Sequence, residues 1–308
     1  MSNVVLVLPP DEIEKVMFHY KNNKVERSAP GVVFAAKLAD TAVTVYKSGK
    51  VMFQGNGASR EASLWGKPID KVTVSTKGDI LPPNLSSLSV IGSDETGTGD
   101  YFGPITVAAC FVREDQIELV KELGVKDSKM LTDDVMRNMA PDLMATLKHS
   151  VLVLKNEKYN DIQGRGWSQG KIKALMHNQA LKHVLNKINP EKPAYILIDQ
   201  FAERGIYYNH IKTEKEIIRE NVLFSTKAEQ LHVSVAAASI IARYAFLKEM
   251  DRLSEMAEIT IPKGASSKVD EIAAKIYFKH GEAFLKSITK WHFANTQKAM
   301  KLVNKRKF

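Results

Sequence analysis

The sequence predicts an α/β protein in two parts: a small N-terminal α+β unit and a larger mixed sheet with flanking helices. Three observations predict it. From Val90 onward, short apolar runs alternate with long helical patterns, as in a sheet covered by helices. Before about residue 76 the runs are short, β-branched and joined by tight turns. Between these parts, residues 76–89 carry Pro82-Pro83 among polar residues, which disfavours helix and stiffens the path. The expected division is residues 1–80, a linker at 81–89, and 90–308.

In the first part, Val4 to Leu8 reads as a strand. Asp11 to about Tyr20 reads as a helix, entered through Pro9-Pro10 and carrying acids in its first turn. Strands follow at Val32 to Ala36, Thr41 to Tyr46 and Val51 to Gln54. Lys47-Ser48-Gly49-Lys50 is the turn between the last two. Ala58 to Trp65 reads as a second helix, and Val72 to Ser75 as a further strand.

In the second part, Leu88 to Gly92 and Ile105 to Val112 are strands hairpinned across a glycine loop. Helices are expected at about Glu114 to Leu123 and Thr132 to Ser150, then a strand at Val151 to Lys155. Ser168 caps a long helix to Ile188. Ala194 to Asp199 and Val222 to Ser225 are strands. Val233 to Met250 is a helix whose Ala236-Ala237-Ala238-Ser239 lets it lie close to a sheet. Two more helices are expected near Ser267 to Phe278 and Ala283 to Lys290.

With 44% hydrophobic residues in 308, the chain supports a real core and is not generally disordered. Its one cysteine, Cys110, lies in an apolar run and reads as a small buried hydrophobe. A single thiol forms neither an internal disulfide nor a zinc cluster, which fits a reducing cytoplasm. The Val4 to Leu8 stretch is too short for a signal sequence, and no run approaches a membrane span. The net charge is +9, and residues 285–308 hold seven Lys/Arg and no acid. Such a balance favours a polyanionic partner, most often nucleic acid.

The chemistry centres on Val90 to Pro104. An apolar run ends, Asp94-Glu95 follows, and glycines stand at 97, 99 and 103. Alone, this reads equally well as a solvated loop. Asp199 also ends an apolar strand, and if the two strands are neighbours both carboxylates meet one sheet edge. Glu229 precedes the Ala-rich helix and can reach the same edge. Four such acids stay ionised only if cations offset their repulsion. Oxygen-only ligands select Mg²⁺ or Mn²⁺, and two such ions together suit phosphodiester hydrolysis.

These residues carry a resemblance. Asp94-Glu95-Thr96-Gly97-Thr98-Gly99, Lys126-Asp127-Ser128-Lys129, Tyr195 to Asp199 and Ala236 to Arg243 resemble, in order, four motifs of the type 2 ribonucleases H. Thr98 stands where HII proteins have Arg, and Glu229 where they have Asp, so the likeness is closer to the HIII branch. Independently, the segment from Pro30 to Gly55, with its Tyr46-Lys47-Ser48-Gly49-Lys50 hairpin, resembles one repeat of the TATA-box-binding protein. HIII proteins carry such a domain.

The resemblance implies a ribonuclease H-like mixed sheet. It implies an endonuclease that cuts the RNA strand of RNA–DNA hybrids, leaving 5′-phosphate and 3′-hydroxyl ends. Asp94, Glu95, Asp199 and Glu229 would hold two divalent ions. The Gly97-Thr98-Gly99 backbone would face ribose 2′-hydroxyls, Ser128, Lys129 and Arg243 would meet phosphates, and Lys47 and Lys50 would sit near the N-terminal nucleic-acid surface. Nothing requires more than a monomer. The competing readings are a non-catalytic nucleic-acid binder and another carboxylate-metal nuclease or phosphatase. Gln163 to Gly166 reads as a loop, His177-Asn178 as a polar pair, and His292 as structural. Trp65, Trp167 and Trp291 read as packing residues.

Overall fold

The computed structural model describes residues 3–26, 31–66, 78–125 and 131–305. The chain forms two compact units, Met1–Val74 and Ser75–Phe308. The strand expected at Val72 to Ser75 and the Lys126 to Lys129 segment fall outside the described residues.

The first unit is a four-stranded antiparallel sheet of order β1-β4-β3-β2. Its strands are β1 (Asn3–Val7), β2 (Val32–Lys37), β3 (Thr41–Tyr46) and β4 (Lys50–Gly55). Two-residue alternation sends Leu6, Phe34, Val43, Val45, Val51 and Phe53 to one face. There they pack on Val16 of α1 (Pro10–His19) and on Ala58 and Ala62 of α2 (Ala58–Ser63). Each full burial of a large side chain is worth about 1.5–3 kcal/mol, which is what holds so small a unit together. Gly49 takes φ +79° in the β3–β4 hairpin, a left-handed value that favours glycine. Tyr20 closes the core edge, donating to Glu61 at 2.8 Å and accepting from the Trp65 indole at 3.1 Å.

The second unit is a five-stranded sheet of order β7-β6-β5-β8-β9. β5 (Val90–Thr96), β6 (Ile105–Val112) and β7 (Lys148–Leu154) are antiparallel neighbours, while β8 (Tyr195–Asp199) and β9 (Val222–Ser225) run parallel to β5. Helix α6 (Gln169–Ile188) covers one face and α8 (Val233–Ala257) the other. The β6 residues show the split: Val107, Ala109 and Phe111 pack toward α6, and Ala108, Cys110 and Val112 toward α8. Ser168 caps α6 by accepting from Lys171 N–H at 3.1 Å.

Several elements depart from expectation. β5 does not end at Gly92; it continues through Asp94 and Glu95, which pair with Ala108 and Val107 of β6. The helix expected to reach Ser150 stops at Thr146 as α4 (Asp133–Thr146), because Lys148 onward is taken up by the β6 ladder. The remaining helices of this part are α3 (Ile117–Glu122), α5 (Asn156–Gly164), α7 (Arg204–His210), α9 (Ser267–Ile288) and α10 (Ala294–Lys305). Of these, α5, α7 and α10 were not anticipated. Gln163 and Gly164 close α5 rather than lying in a loop. Gly281 (φ 82°, ψ 175°) breaks α9 where two separate helices were expected. The stretch 81–89 is not a free connector. Leu85 is buried with Val90, Leu197 and Val235, and just before it Asp79 pairs with Arg204 and accepts from Phe224 N–H.

Candidate active site

The site is built on the carboxyl ends of β5 and β8. Because adjacent strand residues point to opposite faces, Asp94 and Glu95 look away from each other. Gly92 and Asp94 face α8, whereas Ser93 and Glu95 face α6. A Cβ at Gly92 would lie 2.3 Å from the backbone of Ser234 and Val235, so glycine here is what lets α8 approach the strand. The parallel register pairs Ser93 with Ile198. One residue further along that register, Asp94 stands beside Asp199.

Asp94 accepts a hydrogen bond from the Glu95 N–H at 2.7 Å. Burial, and then the charges of Glu95 and Asp199, push its carboxyl up to about 8, although the Ser239 hydroxyl holds it back in part. Asp199 is raised as well, by burial and by Glu229 and Glu95, and it accepts from the Ala228 N–H at 2.9 Å. Ala228 and Glu229 belong to a 3-10 turn, Ala228–Gln230, entered through Lys227 in the left-handed region (φ 59°). That turn brings Glu229 to the same edge.

Glu95 behaves differently. Burial alone would raise it, but His177 and Lys173 of α6 together hold it below the usual carboxylate range. Lys173 Nζ lies 2.7 Å from one carboxylate oxygen, and His177 Nε2 lies 3.0 Å from the other. Because an ionised carboxylate only accepts, Nε2 is the donor in that bond, and on the far side of the ring Nδ1 lies 2.5 Å from the Ser93 hydroxyl. Lys173 also sits over the Phe201 ring at 4.2 Å. Neither role was read from the sequence. The i, i+4 spacing of Lys173 and His177 was visible, but the continuation of β5 beyond Gly92, which brings Glu95 under them, was not. Asn178, beside His177, does structural work, holding the Glu216 carbonyl and the Ile218 amide.

Among the described residues, no three His, Cys, Asp or Glu side chains form a ready-made ion cage. Asp94, Glu95 and Asp199 feel one another's charge and Glu229 acts on Asp199, but Glu95 is turned onto Lys173 and His177. The donor set still fits a hard divalent cation: it is all oxygen, and its mutual repulsion is what a cation relieves.

Gly97, Thr98 and Gly99 form the turn that leaves β5. Gly97 (φ +93°) is buried, and a Cβ there would come within 2.2 Å of the Pro104 carbonyl oxygen. Gly99 is exposed, with nothing within 4 Å of where a Cβ would be. Among the described residues, neither the Thr98 nor the Gly99 amide donates to a protein acceptor. Arg243 pairs with Asp133 at 3.0 Å and stacks over Phe246. Ser128 and Lys129 lie outside the described residues. Lys47 and Lys50 are exposed on the β3–β4 hairpin of the first unit. Trp65 and Trp291 pack against cores, and Trp167 packs against the cluster of Ile105, Tyr159 and Ile172 with Lys171 over its ring. His292 lies against Tyr159.

Comparison with known proteins agrees with this fold. Residues 91–296 match the family Ribonuclease HII, and residues 3–77 match a domain of unknown function, DUF3378. The second unit is therefore a ribonuclease H-type nuclease unit. Ribonuclease HIII of Lysinibacillus sphaericus (strain C3-41) is 62% identical, covering 98% of this chain and 100% of that protein. Ribonuclease HIII of Bacillus subtilis (strain 168) is 49% identical over the full length of both. The crystal structure of Bst-RNase HIII in complex with Mn²⁺ is 44% identical, with a TM-score of 0.72 over 99% of this chain and 100% of that one. The chain belongs to the ribonuclease HIII family.

Proposed function

We propose that this ribonuclease H hydrolyses the RNA strand of RNA–DNA hybrids by a two-metal-ion mechanism, leaving 5′-phosphate and 3′-hydroxyl ends. The observation that carries the proposal is the in-register placement of Asp94 beside Asp199, with Glu229 turned to the same edge. Asp94, Glu95, Asp199 and Glu229 are the residues that would hold two Mg²⁺ or Mn²⁺ ions. Once bound, such ions supply an activated water and neutralise charge on the leaving oxygen.

The chain's own residues do the rest. Lys173 and His177 keep Glu95 ionised and oriented in a buried setting. The exposed Thr98–Gly99 edge meets ribose 2′-hydroxyls, which distinguish RNA from DNA. Arg243, Ser128 and Lys129 meet phosphates. The division of labour is residues 1–80 for substrate binding and 90–308 for catalysis. On the N-terminal sheet, Val5, Val7 and Val33 are exposed on the face opposite the helices, and Lys47 and Lys50 rim the hairpin. The protein acts as a monomer in the cytoplasm.

Calorimetric titration with Mn²⁺ tests the ligand assignment. The parent should take up divalent ions and Asp94→Asn should lose at least one binding event while remaining folded. Identical isotherms for the two proteins would remove Asp94 from the ligand set.

A further inference from the structure

The loop that leaves β5 is held from behind by two side chains that no motif pointed to. Lys290 follows α9 and is wholly buried. Among the described residues its ammonium makes no ion pair. It donates instead to the backbone oxygens of Asp100 and Gly103, both at 2.7 Å, and approaches that of Pro104 at 3.5 Å. Its own amide donates to the Tyr101 carbonyl at 2.8 Å. Burying an ammonium without a carboxylate partner is costly, and burial here pulls the group down to about 7. A methionine would fill similar space without that cost, so what the lysine adds here is its hydrogen bonds to the loop carbonyls.

Gln169, the first residue of α6, holds the other end. Its side-chain amide donates to the Thr98 carbonyl at 3.0 Å and reaches the Tyr159 hydroxyl at 3.4 Å. Asn156 adds a bond to the Gly103 carbonyl at 2.8 Å. The carbonyls of Thr98, Asp100, Tyr101 and Gly103 are thus all drawn inward. The backbone left facing outward is the Thr98–Gly99 edge.

We infer that Lys290 and Gln169 are positioning residues for ribose selectivity, holding the Thr98–Gly99 backbone at the place where a 2′-hydroxyl is read. This rests on the proposed reading of that loop. Neither residue touches substrate; each acts through the loop carbonyls it binds.

The test uses full-length protein and hybrids carrying a single 2′-deoxy substitution at successive positions around the cut. In the parent, at least one position should lower kcat/KM about tenfold, the effect of losing about one hydrogen bond. In Lys290→Met and Gln169→Ala, the same substitution should cost less than about threefold, because the reading edge is no longer held. A merely structural role would lower overall activity but leave this ratio unchanged. If Lys290→Met does not fold, Gln169→Ala, a half-buried helix-start position, carries the test. A parent penalty retained in full by the folded variants overturns the positioning role. A parent with no penalty at any position overturns the loop reading itself, and this inference with it.

Discussion

Asp94 and Glu95 are neighbours in sequence that live in different surroundings. Asp94 sits among other acids, while Glu95 is paired with Lys173 and hydrogen-bonded to His177. Asp94 and Asp199 each stand at the end of an apolar run, a pattern the sequence displays directly. The partners of Glu95 on α6 were not legible there, because a lysine and a histidine four residues apart look the same on a solvated helix as on one laid over a strand. Gly92 has no room for a side chain. Gly92→Ala would press a methyl into the α8 backbone at 2.3 Å, so we expect a loss of about 1–3 kcal/mol in denaturant unfolding. Unchanged stability would mean that α8 stands further from β5 than described. Thr98 makes a prediction about substrate. With no arginine side chain at this position, hybrids should be cut well and single ribonucleotides embedded in DNA poorly. Equal rates on the two substrates would contradict that.

At the scale of elements, strands with clean alternation or unbroken apolar runs were read closely, and β3 and β9 coincide with their expected bounds. β5 ran on past its apolar part because pairing with β6 accepts polar residues as readily as apolar ones. Helix α10 was hidden in a basic tail; what orders it is the burial of Ala299 in the core shared with α9, with Val303 buried one turn on. The start of α8 carries a pH prediction. His232 caps the helix, its Nδ1 accepting from the Ser234 N–H at 3.1 Å while Nε2 donates to the Leu88 carbonyl at 3.1 Å. Burial, with a smaller contribution from the Lys121 charge, lowers it from 6.5 to about 4. A base depressed in the folded state is protonated first in the unfolded state. Its contribution is therefore complete above about pH 6.5 and is lost as pH falls toward 4, by on the order of 2–3 kcal/mol. Chemical denaturation across that window should show the loss, and His232→Asn should flatten it. An equally steep fall in the variant would assign the acid sensitivity to other groups.

At the scale of the whole molecule, the chain joins a small helix-backed sheet to a ribonuclease H-type sheet. Both parts were legible in outline, since turn-rich strands and alternating strands and helices differ in rhythm. The segment between them misled, because Pro82-Pro83 reads as a linker while Leu85 buries itself against the second unit. If the first unit grips the hybrid backbone, replacing Lys47 and Lys50 together with Ala should weaken hybrid binding. It should also reduce the slope of log affinity against log salt by up to about 2. An unchanged slope would remove those lysines from the interface. One gel decides whether the carboxylate site uses divalent ions to cut RNA paired with DNA. End-labelled RNA–DNA hybrid, duplex RNA and duplex DNA are incubated with the protein, with Mg²⁺ or Mn²⁺ and again with chelator. Only the hybrid's RNA strand should be cut, and the cleavage should be abolished by the chelator and absent in Asp94→Asn. Cleavage that survives the chelator, or that Asp94→Asn retains, would contradict that role for the site.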